Sequence, residues 1–219
     1  MTEDIQYITE EKYNELLDAI PELHLEKLTH AELRLLYQTI YEGALRVSEA
    51  TSLTPNDLDL DNKRLILRNA KGGKKRCKCS KWEKNKLIQV NNDCSKCLGL
   101  GKYRVKEFAW VSPQVFDKLV KLSESRKKDE QLFPTDRKQM WKWTKDLGKI
   151  IGVKLSHEEK NTTNLFPHAL RHSRPIHLLN GGKFTINEIM GKMRHKSLQP
   201  TTTYVKVSNE SIQAKEFSK

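Results

Sequence analysis

Apolar positions recur at three- and four-residue spacing in several stretches, each bracketed by polar stop signals. Over 9–20, Tyr13, Leu16, Leu17 and Ile20 share one helical face. Thr9 stands at the cap position, Glu10 and Glu11 suit the positive end of the helix dipole, and Pro21 closes the element. Over 29–41 the pattern repeats, with Thr29 as cap and Leu33, Leu36, Tyr37 and Ile40 inward. Gly43 predicts a break, after which Arg46 opens a short helix with Val47 and Ala50, and Thr54 to Asp57 mark a turn. The period then changes. Residues 64–69 read as a strand, Gly72-Gly73 as a hairpin turn, and Lys74, Lys75 and Arg76 as the start of the returning strand. The strand pattern resumes at 102–111.

Helical spacing returns downstream. Ser112 caps a helix that has Pro113 at its first position. Residues 137–153 form another, with Met140, Trp143, Leu147 and Ile150 or Ile151 inward. Residues 168–182 read as a helix closed by Gly181-Gly182, 185–193 as a short helix, and 208–219 as a tail helix with little to bury alone. Polar loops occupy 123–135 and 154–166. Together these predict a mostly helical α+β domain with a small antiparallel sheet, a single unit over residues 1–219.

Composition sharpens this picture in one respect. The chain has 219 residues and a net charge of +12, unevenly spread. Residues 1–60 carry 4 Lys/Arg against 13 Asp/Glu, whereas 71–106 carry 12 against 2 and 107–219 carry 21 against 12. Such polarity predicts a phosphate-rich partner for one face, with a solvated lysine surface as the plainer reading. No apolar run approaches the roughly 20 residues of a membrane span. The acidic, polar opening MTEDIQYITEE is no signal peptide, so the expectation is a soluble intracellular protein, cytoplasmic or nucleoid-associated, with no membrane partner.

All four cysteines fall within 21 residues, as Cys77-x-Cys79 and Cys94-x-x-Cys97. Two paired knuckles joined by a loop suit a tetrahedral structural Zn2+, and an intracellular setting disfavours two disulfides. A closed four-thiolate site has no open coordination position, so its role is structural. Lys74, Lys75, Lys78, Lys81, Lys84 and Lys86 surround it, a shape suited either to a nucleic-acid backbone or to a protein partner.

The stretch 168–204 holds the chemistry. His168 and Arg171 lie three apart, His195 follows, and Tyr204 comes nine residues later. Arginine clamps non-bridging phosphate oxygens with a planar fork, histidine exchanges protons near neutrality, and a phenol is a potential covalent nucleophile. Upstream, Ala44 to Ala50 reads ALRVSEA and Ala70 to Arg76 reads AKGGKKR. These pieces, then His168-Ala-Leu-Arg171-His172, His195 and Tyr204, occur in an order that resembles the catalytic domain of the tyrosine recombinases, the phage integrase family.

The resemblance implies roles. Arg46 and Arg171 would grip the scissile phosphate, and Lys71 would protonate the leaving 5′ oxygen. His168 would help accept the tyrosine proton, and His195 would be a third phosphate ligand. Tyr204 would be the nucleophile that forms a 3′-phosphotyrosyl intermediate, while Glu49 and His172 would orient the set. Lys74, Lys75, Arg76, Lys78, Lys81, Arg194 and Lys196 are the candidate DNA contacts. The implied partners are double-stranded DNA and further copies of the chain, as a tetramer on two sites. No catalytic metal and no ATP are expected. Residues 77–101 would be a zinc-ribbon-like insertion in the family's β-hairpin, and the N-terminal core-binding domain would be absent. Type IB topoisomerase-like relaxation and a non-cutting accessory protein remain alternatives.

Three features depart from the family pattern. Arg194 stands where glycine usually precedes the His195 position, Arg174-Pro175 follows the LRH motif, and the cysteine segment is unusual. Pro175 is expected only in a first helical turn. His177 reads as a packed or surface residue, and Trp82, Trp110, Trp141 and Trp143 as packing within the core or the insert.

Overall fold

A computed structural model of the chain describes residues 6–68, 74–95, 100, 102–104, 106–153 and 165–217. The first two helices, α1 (Glu10–Asp18) and α2 (His30–Glu42), begin at the expected threonines. Thr9 Oγ1 accepts from the Lys12 amide at 3.2 Å. Thr29 and Glu32 form a reciprocal capping box, with bonds of 2.8 and 3.1 Å. Pro21 lies in a single 3-10 turn, Ile20–Glu22. The break after α2 is shared between two residues. Gly43 keeps right-handed dihedrals, and the positive φ of 46° falls on Ala44 instead. Helix α3 (Val47–Thr51) follows, with Arg46 in the cap position.

The strands are β1 (Leu58–Asp59), β2 (Arg64–Leu67), β3 (Lys74–Arg76), β4 (Ser80–Glu83), β5 (Lys86–Val90), β6 (Lys102–Arg104) and β7 (Glu107–Ala109). Strand β2 lies between β1 and β7, antiparallel to both, with Leu65 opposite Leu58 and Ala109. The expected return at Lys74 to Arg76 is corrected here. Strand β3 pairs with β6, Lys74 opposite Arg104, rather than folding back on β2. The chain therefore runs outward through β3 and returns only after the cysteine segment. The partners that complete both ladders, β6 and β7, lie on the far side of that segment in sequence. Gly72-Gly73 lies outside the described residues. Between β3 and β6, β4 and β5 form their own hairpin across Lys84-Asn85, both at positive φ, as a two-residue primed turn requires.

The helices α4 (Pro113–Glu124), α5 (Arg137–Ile150), α6 (Pro167–Asn180), α7 (Ile186–Met193) and α8 (Gln199–Phe217) complete the domain. The expected tail helix is continuous with the tyrosine segment in α8. Pro175 sits in the interior of α6, not its first turn. An interior proline costs about 3 kcal/mol, and burial of its neighbours Ile176 and Leu178 on the same helix offsets that cost. Trp143 is core, but Trp110 and Trp141 are 50% and 48% exposed, contrary to the packing expected of them. Trp110 lies just after β7, and Trp141 stacks on Phe166 with ring centroids 5.8 Å apart.

The main core joins α1, α2, the central strand, α4, α5 and the start of α6, through residues such as Leu16, Leu36, Ile40, Leu65, Phe116 and Leu147. A second cluster of Ala44, Ile176, Leu178, Ile189, Met193 and Tyr204 lies under α6, α7 and α8. The N-terminal segment is strapped to α6. Ser173 Oγ accepts from the Ile8 amide at 3.0 Å, and His177 Nε2–H donates to the Ile8 carbonyl at 2.8 Å. That bond fixes the tautomer, so His177 Nδ1 accepts from the Tyr41 hydroxyl at 2.6 Å. His177 is thus a packed histidine.

Helix α5 approaches the segment entering α6 at Gly148. A Cβ there would lie 2.5 Å from Leu165 Cβ. Gly148→Ala is therefore expected to destabilise by about 1–3 kcal/mol through overpacking, despite about 1 kcal/mol of helix propensity gained. Urea unfolding checks this, and an unchanged or raised midpoint would refute the close approach.

Candidate active site

The site is assembled from four places in the chain. Arg46 stands at the N-terminus of α3, Arg171 and His172 on α6, His195 just after α7, and Tyr204 on α8. Lys71 lies outside the described residues. The element that holds the others together is Glu49, whose side chain is 1% exposed. Its position three residues into α3 lets the carboxylate reach back to the Arg46 amide at 2.8 Å, which satisfies an orphan donor of the first turn. The same carboxylate meets three guanidinium groups: Arg46 Nη1 at 2.5 Å, Arg194 Nη2 at 2.7 Å and Arg171 Nη1 at 3.7 Å.

Glu107 also approaches Arg194, at 3.4 Å, so three positive charges face two negative ones and the cluster stays cationic. Arg171 is buried, and its Nη1 donates to the Ala44 carbonyl and its Nη2 to the Met193 carbonyl at 2.8 Å. Burial, then repulsion from Arg194 and Arg46, lowers its pKa to about 10, so it stays charged at neutral pH. Guanidinium has five N–H donors, so two carbonyl bonds leave Arg171 with donors to spare for an anion.

Tyr204 is 2% exposed and packs in the second core cluster. Burial raises its pKa to about 12, against an opposing pull from Arg171. The phenol is therefore protonated at neutral pH. Its Oη lies 2.7 Å from His172 Nδ1. Here the structure differs from the roles read off the sequence. His172, not the exposed His168, is the imidazole against the phenol, and the two rings meet edge to face with centroids 4.3 Å apart. Helical spacing explains this: two positions four apart on α6 share a face, and the deeper one reaches Tyr204.

His195 stacks on Tyr204, with ring centroids 6.1 Å apart and planes 11° from parallel, and its Nδ1 lies 2.8 Å from Thr201 Oγ1. Burial and the surrounding cations lower the His172 pKa to about 3 and that of His195 to about 4. Both rings are neutral at pH 7, able to accept a proton on one nitrogen and to donate from the other. Thr201 carried no motif in the sequence; only its place in the first turn of α8 brings it to His195.

Arg194, a candidate DNA contact from the sequence, has a buried side chain. It occupies the left-handed cap of α7 at φ 57° and ψ 38°, where its amide bonds Gly191 and the His195 amide bonds the Met190 carbonyl, both at 3.0 Å. That geometry is the reason glycine is usual there, and a side chain with a Cβ pays about 1–2 kcal/mol. The guanidinium turns inward, with its side chain 6% exposed. The other candidate contacts behave differently. Lys78, Lys81 and Lys196 are exposed, while Lys74, Lys75 and Arg76 make up β3.

Cys77, Cys79 and Cys94 place their sulfurs within 4.8 Å of one another, with Cys77 and Cys94 3.7 Å apart. A tetrahedral ion with metal–sulfur bonds of about 2.3 Å sets sulfurs about 3.8 Å apart, whereas a disulfide needs about 2.05 Å. The donor set fits zinc. Cys97 lies outside the described residues.

Removing the shared carboxylate is expected to be costly. Glu49→Ala leaves three guanidinium groups facing one another with only Glu107, at 3.4 Å from Arg194, as a counter-charge among the described residues, and about 3–5 kcal/mol of stability should be lost. Denaturant titration checks this, and a loss below about 1 kcal/mol would remove Glu49 from its central place.

The phage integrase family model matches residues 6–211. Tyrosine recombinase XerA of Thermococcus kodakarensis is 28% identical over 206 residues, which cover 94% of this chain and 59% of that protein. Tyrosine recombinase XerC of Roseiflexus castenholzii is 27% identical over 197 residues, 89% of this chain and 54% of that protein. The chain thus spans less than two thirds of the length of these relatives. The crystal structure of XerA recombinase shares the fold at a TM-score of 0.61 and 17% identity, covering 97% of this chain and 65% of that one. The catalytic domain of bacteriophage HP1 integrase does so at 0.60 and 16%, covering 98% and 95%. Matched over nearly its whole length, this mostly helical chain with its small antiparallel sheets belongs to the phage integrase family and has the fold of a tyrosine-recombinase catalytic domain.

Proposed function

We propose that this chain cleaves and rejoins DNA strands through a 3′-phosphotyrosyl intermediate, in site-specific recombination or integration of a mobile element. The observation that carries the reading is the phenol of Tyr204 held 2.7 Å from a neutral imidazole and beside a guanidinium cluster with positive charge in excess. In the proposed step the phenol oxygen attacks the phosphorus and the P–O5′ bond breaks. The phenol proton passes to His172 and Lys71 supplies a proton to the departing 5′ oxygen. Arg46, Arg171 and His195 stabilise the charge that grows on the non-bridging oxygens. Attack of a 5′ hydroxyl on the phosphotyrosine reverses the step, so the bond energy is conserved. Neither a catalytic metal nor ATP enters the scheme. His168 acts beside His172 rather than in its place.

The partner in this reading is double-stranded DNA, engaged by Lys74, Lys75, Arg76, Lys78, Lys81 and Lys196, with copies of the chain assembling as a tetramer on two sites. XerH site-specific recombinase has been solved bound to a palindromic difH substrate, and the Tn1549 transposon integrase with circular intermediate DNA. Both share this fold, which supports the assignment of DNA as partner. Residues 77–101 form a zinc-bearing insertion held by Cys77, Cys79, Cys94 and Cys97. Among the described residues no helix is long and apolar enough to cross a membrane.

A pool of nicked suicide duplexes of randomised sequence tests the reaction. The expected result is an SDS-resistant protein–DNA adduct with a free 5′ hydroxyl, abolished in Tyr204→Phe and reduced more by His172→Ala than by His168→Ala. DNA binding without any adduct would establish the accessory reading. Relaxation of supercoiled plasmid without exchange between two recovered sites would establish the topoisomerase-like one. Zinc is tested separately: one equivalent should copurify and be lost in Cys77→Ser, and its absence from freshly purified protein would refute the site.

A further inference from the structure

Arg194 replaces the glycine usual in the family and takes a conformation that disfavours a side chain, so its guanidinium needs an account. It is not spent on solvent or on a DNA face. Nη1 donates to the Gly43 carbonyl at 3.1 Å, and Nη2 to the Ala44 carbonyl at 3.2 Å and to Glu49 Oε2 at 2.7 Å. Nε lies 3.4 Å from Glu107 Oε2 on β7, without hydrogen-bond alignment. One planar group thus joins the corner that carries His195, the segment that leads into Arg46, the carboxylate that holds Arg46, and the strand returning from the cysteine segment. Arg171 braces the same corner from the other side, through the Met193 carbonyl at 2.8 Å. The Ala44 carbonyl accepts from both arginines.

We propose that Arg194 is a positioning residue of the phosphate clamp: it locks the His195 corner to the Arg46–Glu49 unit, so that both reach the scissile phosphate together. The proposal rests on the strand-cleavage reading above. A fork that bonds two adjacent carbonyls and a carboxylate at once fixes distance and angle, which a single ammonium cannot do. The positive φ of Ala44 turns its carbonyl into this junction. Arg194 therefore acts through Glu49 and the backbone and touches no DNA.

The experiment compares wild type, Arg194→Gly, Arg194→Asn and Arg194→Lys on a suicide duplex recovered from the randomised pool. Glycine and asparagine both tolerate the left-handed cap, so these variants keep the corner's backbone while losing the lock. The rate of adduct formation at saturating DNA should fall about 10- to 100-fold. The half-saturating DNA concentration and its salt dependence should stay within about twofold, since no phosphate contact is lost. Low-millimolar guanidinium chloride should restore part of the rate of Arg194→Gly and none of Arg194→Lys. Wild-type rates in Arg194→Gly would overturn the proposal and leave the cleavage reading intact. So would a loss of affinity with a reduced salt slope, the mark of a DNA contact. Unfolding of both cap-tolerant variants at the assay temperature would also overturn it, by making the residue merely structural. Absence of any adduct in wild type would sink the cleavage reading and this proposal with it.

Discussion

One buried carboxylate governs the arrangement. Glu49 is the carboxylate shared by three guanidinium groups that arrive from the start of α3, the middle of α6 and the end of α7, whereas Glu107 meets Arg194 at 3.4 Å. Like charges so close repel, and burial deprives them of water, so they share a site only because the carboxylate and several backbone carbonyls take up their donors. The arrangement is frustrated as a salt bridge and suited to an anion site. In the proposed reaction the scissile phosphate would balance its excess positive charge. Stability and function draw on the same side chains here.

The tyrosine faces the opposite problem. Tyr204 belongs to a hydrophobic cluster with Ile176, Ile189 and Met193, so its position is set by packing rather than by solvent-exposed polar bonds. Burial holds the proton on the phenol, and a neutral imidazole lies 2.7 Å away. In the proposed reaction the nucleophile would therefore keep its proton until attack. Burial above all keeps His172 and His195 neutral, and the neighbouring cations add to it.

Segments with a strong period were legible from the chain. Thr9, Thr29 and Ser112 cap the helices they were expected to cap, because a cap depends on residues three apart and on nothing distant. The outward course of β3 was not legible, since its partner β6 lies beyond the whole cysteine segment and strand pairing is a long-range choice. Nor was Pro175 inside α6, where burial of the surrounding helix overrides a local rule. In the site, the residue types and their order were readable. Which histidine meets the phenol was not, because four residues on a helix are one face and only packing picks the nearer.

By itself the sequence determined the helical period, the caps, the basic and acidic halves, and the set of side chains from Arg46 to Tyr204, all carried by identity and local spacing. Only the tertiary structure decided that His172 rather than His168 faces Tyr204, and that Arg194 turns inward to Glu49. The physical reason is common to both. Each depends on where a carbonyl, a carboxylate or a phenol from a distant segment comes to rest, and a side chain with several possible partners commits only when packing leaves one within reach.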